Sequence, residues 1–177
     1  MTDTRTTLLD AAEAAVRLRG YHAVSFRDLA DQLQIKSASV HYYFRQKEDL
    51  GLALVARYRE RFFENLERRA SGADMSTARI KAFCATYRAA LLDDDRICLC
   101  GMLGAETRGL PGALSDAVGA FLDANVDWVE AALGGKTERS RALQIVSALQ
   151  GAMIVSRTLN DDGAFDRVVD EIMASVD

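Results

Sequence analysis

Between Ser25 and Leu50 two short helical patterns follow one another with only Gln34, Ile35 and Lys36 to turn in. The first opens with Ser25 three residues ahead of Asp28, the spacing of a capping-box-like start, and Leu29, Ala30 and Leu33 give it a buried side. The second begins near Ser37 and ends around Tyr43. Phe26, Leu29, Ala30, Ile35, Val40 and Phe44 recur with helical period and read as core. What remains of the second helix is Ser37, Ala38, Ser39, His41, Tyr42 and Tyr43, with Lys36, Arg45 and Lys47 at its flanks. Such a helix is poorly suited to burial and well suited to a groove lined by phosphates and base edges. A helix-turn-helix uses this division: one helix braces across the backbone while the next presents its early residues to the major groove.

The surrounding chain is helical by period, with no convincing strand. Leu8, Leu9, Ala12, Ala15 and Val16 share one face of a helix over residues 5–19, ended by Gly20 as a left-handed residue. A fourth helix runs from Lys47 to about Arg69 on Leu50, Leu54, Tyr58 and Phe62, and 71–74 is a break. Ile80, Phe83, Cys84, Tyr87 and Leu91 mark a helix over 77–92 that Asp93, Asp94 and Asp95 close. Residues 98–106 read as a short buried helix. Pro111 suits the first turn of a helix reaching Leu133. Thr137 caps a further helix to Leu159, and Phe165, Val168, Val169, Ile172, Met173 and Val176 define the last. About nine helices result, and the fold class is all-α.

Net charge is −4 over 177 residues, which at first argues against nucleic acid. The distribution differs: residues 1–70 hold 12 Lys+Arg against 10 Asp+Glu, and residues 71–177 hold 10 against 16. A basic excess confined to one part is what local DNA contact requires. No apolar run approaches the roughly 18 residues of a membrane helix, and the polar start carries no signal segment, so the expected location is the cytoplasm, with no membrane partner. Cys84, Cys98 and Cys100, an odd count, are expected to be reduced thiols.

With those residues in view, the chain resembles the tetracycline-repressor (TetR/AcrR) family of bacterial transcription regulators. The resemblance rests on Phe26-Arg27-Asp28-Leu29-Ala30, on Ser39-Val40-His41-Tyr42-Tyr43-Phe44, on the following Lys47-Glu48-Asp49-Leu50, on the alanine-rich first helix and on Gly20-Tyr21. It covers roughly residues 5–62. It implies groove or base contacts from Arg27, Ser37, Ala38 and Tyr42 and phosphate contacts from Ser25, Ser39, His41, Tyr43 and Lys47; Lys36 joins them by position and charge. Two positions depart from the family's pattern. Gln34 stands where the turn usually has glycine, and His41 where a tyrosine often follows the Val40 position. The plainer readings are a salt bridge of Arg27 to Asp31 and a packing role for Tyr42 and Tyr43.

The resemblance implies a helix-turn-helix DNA-binding domain over residues 1–48. A linking helix would join it to a ligand-sensing and dimerisation domain over residues 49–177. Dimerisation would double the phosphate contacts and set two readers about 34–36 Å apart. Its expected interface holds Leu143, Val146, Ser147, Gln150, Ile154, Phe165, Val169, Ile172 and Met173. A pocket for a small-molecule effector is expected among Phe83, Tyr87, Cys98, Cys100, Met102, Phe121, Trp128 and Met153, with core packing as the simpler account of each.

The expected function is thus a dimeric repressor on a palindromic double-stranded DNA operator, released by an unidentified small molecule. No cofactor or metal is expected, since the only histidines, His22 and His41, belong to the reader. Catalysis is not expected either: no glycine-rich phosphate loop, nucleophile elbow or His-Glu-x-x-His pair is present. Asp123, Asp127 and Glu130 read as a solvated helix face. Two alternatives stand beside the repressor. One is a helical interaction module without specific DNA binding. The other is an electrophile or redox sensor built on Cys98 and Cys100 near Arg96.

Overall fold

The computed structural model describes residues 3–92 and 96–176, so Asp93, Asp94 and Asp95 lie outside the described residues. Among those described there are nine α-helices and no strand. They are α1 (Thr4–Arg19), α2 (Phe26–Leu33), α3 (Ser37–Tyr43), α4 (Lys47–Ala70), α5 (Ser76–Leu92), α6 (Leu99–Ala105), α7 (Gly112–Leu133), α8 (Arg139–Leu159) and α9 (Gly163–Val176), with 3₁₀ turns at Thr107–Gly109 and Lys136–Glu138. The all-α expectation holds.

Two compact units make up the chain: Met1–Arg59 with Leu99–Gly119, and Glu60–Cys98 with Ala120–Asp177. The first unit therefore extends past residue 48 along α4 and takes in α6 and the start of α7.

In the first unit, α1 buries Leu8, Leu9, Ala12, Ala15 and Val16, the face its period defines. It also buries two charges, Glu13 and Arg17. Their cost in a low-dielectric interior is offset by pairing. Arg17 Nη1 lies 3.7 Å from Glu13 Oε1, and Arg57 of α4 donates to Glu13 Oε2 at 3.0 Å and to Asp10 Oδ1 at 2.7 Å. These pairs hold α4 against α1. Gly20 ends α1 with φ +84°, as its place after the helix anticipates, although ψ 164° puts it outside the left-handed helical well.

The ends of α2 are closed on both sides. The Asp28 N–H donates to Ser25 Oγ at 3.1 Å while the Ser25 N–H donates to Asp28 Oδ2 at 2.9 Å. This is a complete capping box. Gln34 adopts φ 55°, ψ 39°, the left-handed conformation glycine would supply. Around it the Gln34 N–H reaches the Asp31 carbonyl (3.2 Å) and the Ile35 N–H the Ala30 carbonyl (3.0 Å), the paired bonds of a Schellman end. Leu29, Ala30, Val40 and Phe44 are buried as expected, whereas Phe26, Leu33 and Ile35 are only half-buried.

The second unit is built on α5, α8 and α9 with parts of α4 and α7. Its centre is aromatic: the Phe62 ring meets Tyr87, Phe121 and Phe83 edge-on at 5.2, 5.3 and 6.3 Å, and Phe83 stacks on Trp128 at 5.6 Å. Offset and edge-to-face pairs of this kind add to the burial of the rings themselves. Tyr87 keeps its hydroxyl satisfied between Asn125 Oδ1 and Gln150 Nε2. A second Schellman end, the Asp161 N–H on the Ser156 carbonyl across Asn160 at φ 53°, folds α9 back on α8. Arg88 clamps Asp166 with two bonds (2.6 and 2.9 Å), tying α5 to α9.

Three local expectations are corrected. Thr137 lies in a 3₁₀ turn and Glu138 is the N-cap of α8, without a side-chain cap bond. Asp123, Asp127 and Glu130 are not merely solvated, because all three gather on the Arg139 guanidinium at 2.5, 2.7 and 3.2 Å. Their bonds push the arginine further up from its already high value. Finally, Lys136–Leu159 is long and apolar enough to cross a membrane by length and composition. Here its apolar side, Ala142, Ile145, Leu149 and Met153, is buried within the second unit.

Candidate nucleic-acid interface

The α2–α3 pair divides the reader helix by face. Val40 and the following Phe44 turn inward and are buried, while Ala38 and Tyr42, on the opposite side, are exposed. Tyr42 is 82 % exposed. Spacing of about one turn places Ala38 and Tyr42 on the same face, next to exposed Ser37 and His41 and half-buried Ser39. A large aromatic left in solvent on a seven-residue helix is costly to a monomer and useful in a groove, where it can touch thymine methyls or bond phosphate.

Neighbouring rings hold this surface in place. The His41 ring lies edge-on to Phe26 at 4.9 Å, and the half-buried Tyr43 ring lies edge-on to Tyr42 at 5.1 Å. Cations surround it. Lys36 is exposed at the N-cap of α3, and Arg45 is exposed beyond its end. Arg27 stands 87 % exposed and 3.9 Å from Asp31, so the alternative salt bridge is a long one and leaves the guanidinium accessible. Ser25 is exposed, but its hydroxyl is engaged with Asp28 Oδ2 at 2.7 Å. That bond and the Ser25 N–H hold the Asp28 carboxyl below its ordinary value.

Lys47 sits differently from its expected place at a phosphate. It is half-buried, its ammonium lies 4.3 Å from the centroid of the Tyr21 ring, and it reaches the His22 carbonyl at 3.5 Å. Burial pulls its pKa down, against the upward pull of Glu106 and Asp28. Sequence reasoning missed two participants here. Arg5 places its guanidinium 5.5 Å over the Phe44 ring, a position its charge and place in the first turn of α1 did not announce. Glu106 accepts a 2.7 Å bond from the Tyr21 N–H, across 85 residues that no local pattern connects.

In the second unit the residues expected around an effector are Phe83, Tyr87, Cys98, Phe121, Trp128 and Met153; Cys100 and Met102 belong to the first unit. Phe83, Tyr87, Cys98, Phe121 and Met153 are fully buried, with Trp128 half-buried at the edge of the ring cluster. An open groove of about 740 Å³ lies elsewhere, between α8 and α9. Ile145, Ala148, Val168 and Ile172 form its apolar part, and Arg141, Arg167 and Glu171 stand among its polar residues. It shares none of the eight expected residues. Among the nine residues expected at a dimer face, Leu143, Ser147 and Ile154 are exposed and Gln150, Val169 and Met173 half-buried. Val146, Phe165 and Ile172 are instead buried in their own unit: helical period marks an apolar face without saying what covers it. The exposed side of α8 adds Val155 and Leu159, 49 % and 64 % accessible.

Comparison with known proteins bears on this arrangement. Residues 8–54 match the family described as bacterial regulatory proteins, tetR family. Over 100 % of this chain and 99 % of the other, a TetR transcriptional regulator from Legionella pneumophila superposes with a TM-score of 0.92 at 27 % identity. The chain is thus similar to tetR-family regulators, over residues 8–54 by sequence and over its whole length by fold. A second tetR-family regulator, from Agrobacterium tumefaciens, shares the fold with a TM-score of 0.91 at 22 % identity, over 97 % of this chain and 96 % of that one. The HTH-type transcriptional repressor KstR2 of Rhodococcus jostii (strain RHA1) is 32 % identical over 101 residues, 52 % of this chain. The chain spans 50 % of the length of that repressor. The matched span runs from α1 into α4 and contains the α2–α3 pair whose geometry is described above.

Proposed function

We propose that this chain is a dimeric transcriptional repressor of the tetR family that reads a palindromic DNA operator through α3, acting in the cytoplasm. The observation that carries the reading is the exposed edge of α3: Ser37, Ala38, His41 and Tyr42 face out while Val40 and Phe44 anchor the other side. Small residues at the start of α3 let the helix axis approach a groove. The flanking cations Arg27, Lys36 and Arg45 supply phosphate partners, and each one engaged adds about 0.9 to the salt slope of binding. Phosphate contacts from Ser25, Ser39, His41, Tyr43 and Lys47 belong to the same proposal. Lys47 would first have to leave the Tyr21 ring.

A second copy of the chain is the partner. Leu143 and Ile154 present exposed apolar side chains on α8 with the small Ser147 between them, a surface suited to an isologous two-fold contact. An apolar effector would release DNA by binding more tightly to the conformation whose readers are out of register, with α4 as the carrier of the movement. The three cysteines weigh against the sensor reading. Cys98 and Cys100, on which that reading stands, are fully buried, whereas reactive thiols are accessible.

Selection of duplexes from a random-sequence pool by the full chain tests the proposal. Enrichment of an inverted repeat with half-sites about 10 base pairs apart, centre to centre, is expected. Failure to enrich any sequence would favour the interaction module.

A further inference from the structure

The turn from α1 to α2 is gripped from outside the helix-turn-helix. Residues 99–119 fold with the reader although they lie far along the chain, and Glu106 is their closest grip. Its Oε2 accepts the Tyr21 N–H at 2.7 Å, standing in for a helical acceptor just beyond the end of α1. Gly20 makes room for it: a Cβ there would collide with Glu106 Oε1, and φ +84° disfavours any side chain. The next residue is held too, since a Cβ on Gly109 would come within 2.9 Å of His22 Nε2. Tyr21, only 5 % exposed, packs at the same joint. At Gly51 of α4 a Cβ would lie 2.7 Å from Leu114 Cδ2 and 3.1 Å from Tyr21 Cε2. Lys47 covers the exposed side of the same ring.

Only three residues separate the gripped Tyr21 from Ser25, the N-cap of α2. Whatever fixes Tyr21 and His22 therefore fixes where α2 begins, and through the closed α2–α3 joint where α3 points. The geometry points to Glu106 as a positioning residue for DNA reading. Its carboxylate makes the 99–119 segment a second physical connection to the reader besides the covalent one through α4. This inference rests on the DNA-reading proposal above for its functional half and on the Tyr21 bond alone for its structural half.

Three substitutions in the full chain separate reach from charge. Glu106→Gln keeps an acceptor oxygen at the same reach without the charge. Glu106→Asp keeps the charge but is one methylene too short, and Glu106→Ala removes both. Hydrogen exchange of the Tyr21 amide in the free protein reads the bond directly. Binding to a duplex selected by the wild type reads its consequence. Loss of a charge-assisted bond to a part-buried N–H should speed Tyr21 exchange and weaken duplex binding by about tenfold each in Glu106→Ala and Glu106→Asp. Glu106→Gln should stay within about threefold of wild type in both. The salt slope should not change, because no phosphate contact is removed. Tyr21 exchange unaltered in Glu106→Ala would overturn the inference, and so would rescue by Glu106→Asp rather than Glu106→Gln. Faster exchange without weaker duplex binding would also overturn the positioning role. If the wild type selects no duplex, the DNA reading itself fails, and exchange at Tyr21 still decides the bond.

Discussion

The Ile35 N–H reaches the Ala30 carbonyl at 3.0 Å across Gln34, whose backbone is left-handed at φ 55°. The joint that sets α3 on α2 is therefore closed by hydrogen bonds despite a residue that pays for its conformation. A non-glycine residue in this well costs roughly 1–2 kcal/mol. Gln34→Gly removes that strain and gives back about 0.4–1 kcal/mol through a more flexible unfolded chain. The net expectation is a gain of about 0.5–1 kcal/mol, or roughly 1–4 °C in Tm by calorimetry. An unchanged or lower Tm would show that Gln34 is held by something other than local backbone geometry.

Acid should weaken the fold through three identified carboxylates. Asp28 is held down by the Ser25 hydroxyl, Asp161 by Arg167 and Asp166 by Arg88. Each has a folded pKa below its unfolded one. Their stabilisation is thus complete above the unfolded carboxylate value of about 3.9, and it is lost as pH falls through the depressed folded values. Urea midpoints measured from pH 6 to pH 3 should drop steeply at the acid end, and Asp166→Asn should flatten that drop. A slope identical to wild type would remove Asp166 from the account. Ser25→Ala, which deletes the cap itself, should cost about 1 kcal/mol at neutral pH.

Much of the reader was legible because its determinants are local. Ser25 and Asp28 stand three apart, and the capping box forms. Val40 and Phe44 stand four apart, and they share the buried side of α3. Even the missing turn glycine was visible at Gln34, and the backbone there is left-handed as a glycine's would be. What escaped were relationships with no local signature. Glu106 meets Tyr21 across 85 residues, and Arg139 collects three carboxylates from the preceding helix, a pattern that reads in sequence as a solvated acidic face. Thr137 looked like a cap, but the 3₁₀ turn over Lys136–Glu138 moves the helix start beyond it. Period also left the body ambiguous. Val146, Phe165 and Ile172 share apolar faces with exposed neighbours, and only packing shows that they look inward.

The exposed strip on α8 makes the quaternary state testable. Ile154→Glu and Leu143→Glu place charges on residues 48 % and 49 % exposed, where neither should disturb the fold of a single chain. Sedimentation velocity should give twice the chain mass for wild type and the chain mass for the double variant, with binding to the selected duplex lost at the same time. A double variant that keeps the wild-type mass would move the dimer face away from α8.

Thiol chemistry offers a separate check. With all three cysteines buried, labelling by a thiol-specific reagent should be slow in the native protein and fast in denaturant. The double substitution Cys98→Ser and Cys100→Ser should leave any oxidant-driven release of DNA unchanged. A difference between that variant and wild type would revive the sensor reading.

Specific DNA binding through α3 is the central claim, and a pair of binding isotherms at about 0.1 M salt tests it most directly. One uses the duplex selected by the wild-type chain, the other an unrelated duplex of the same length. The account predicts that the selected duplex binds at least about a thousandfold more tightly. It also predicts that Tyr42→Ala narrows this ratio, whereas Lys36→Ala weakens both duplexes and lowers the salt slope by about one contact. Equal affinity of the wild type for the two duplexes, or a ratio untouched by Tyr42→Ala, would contradict it.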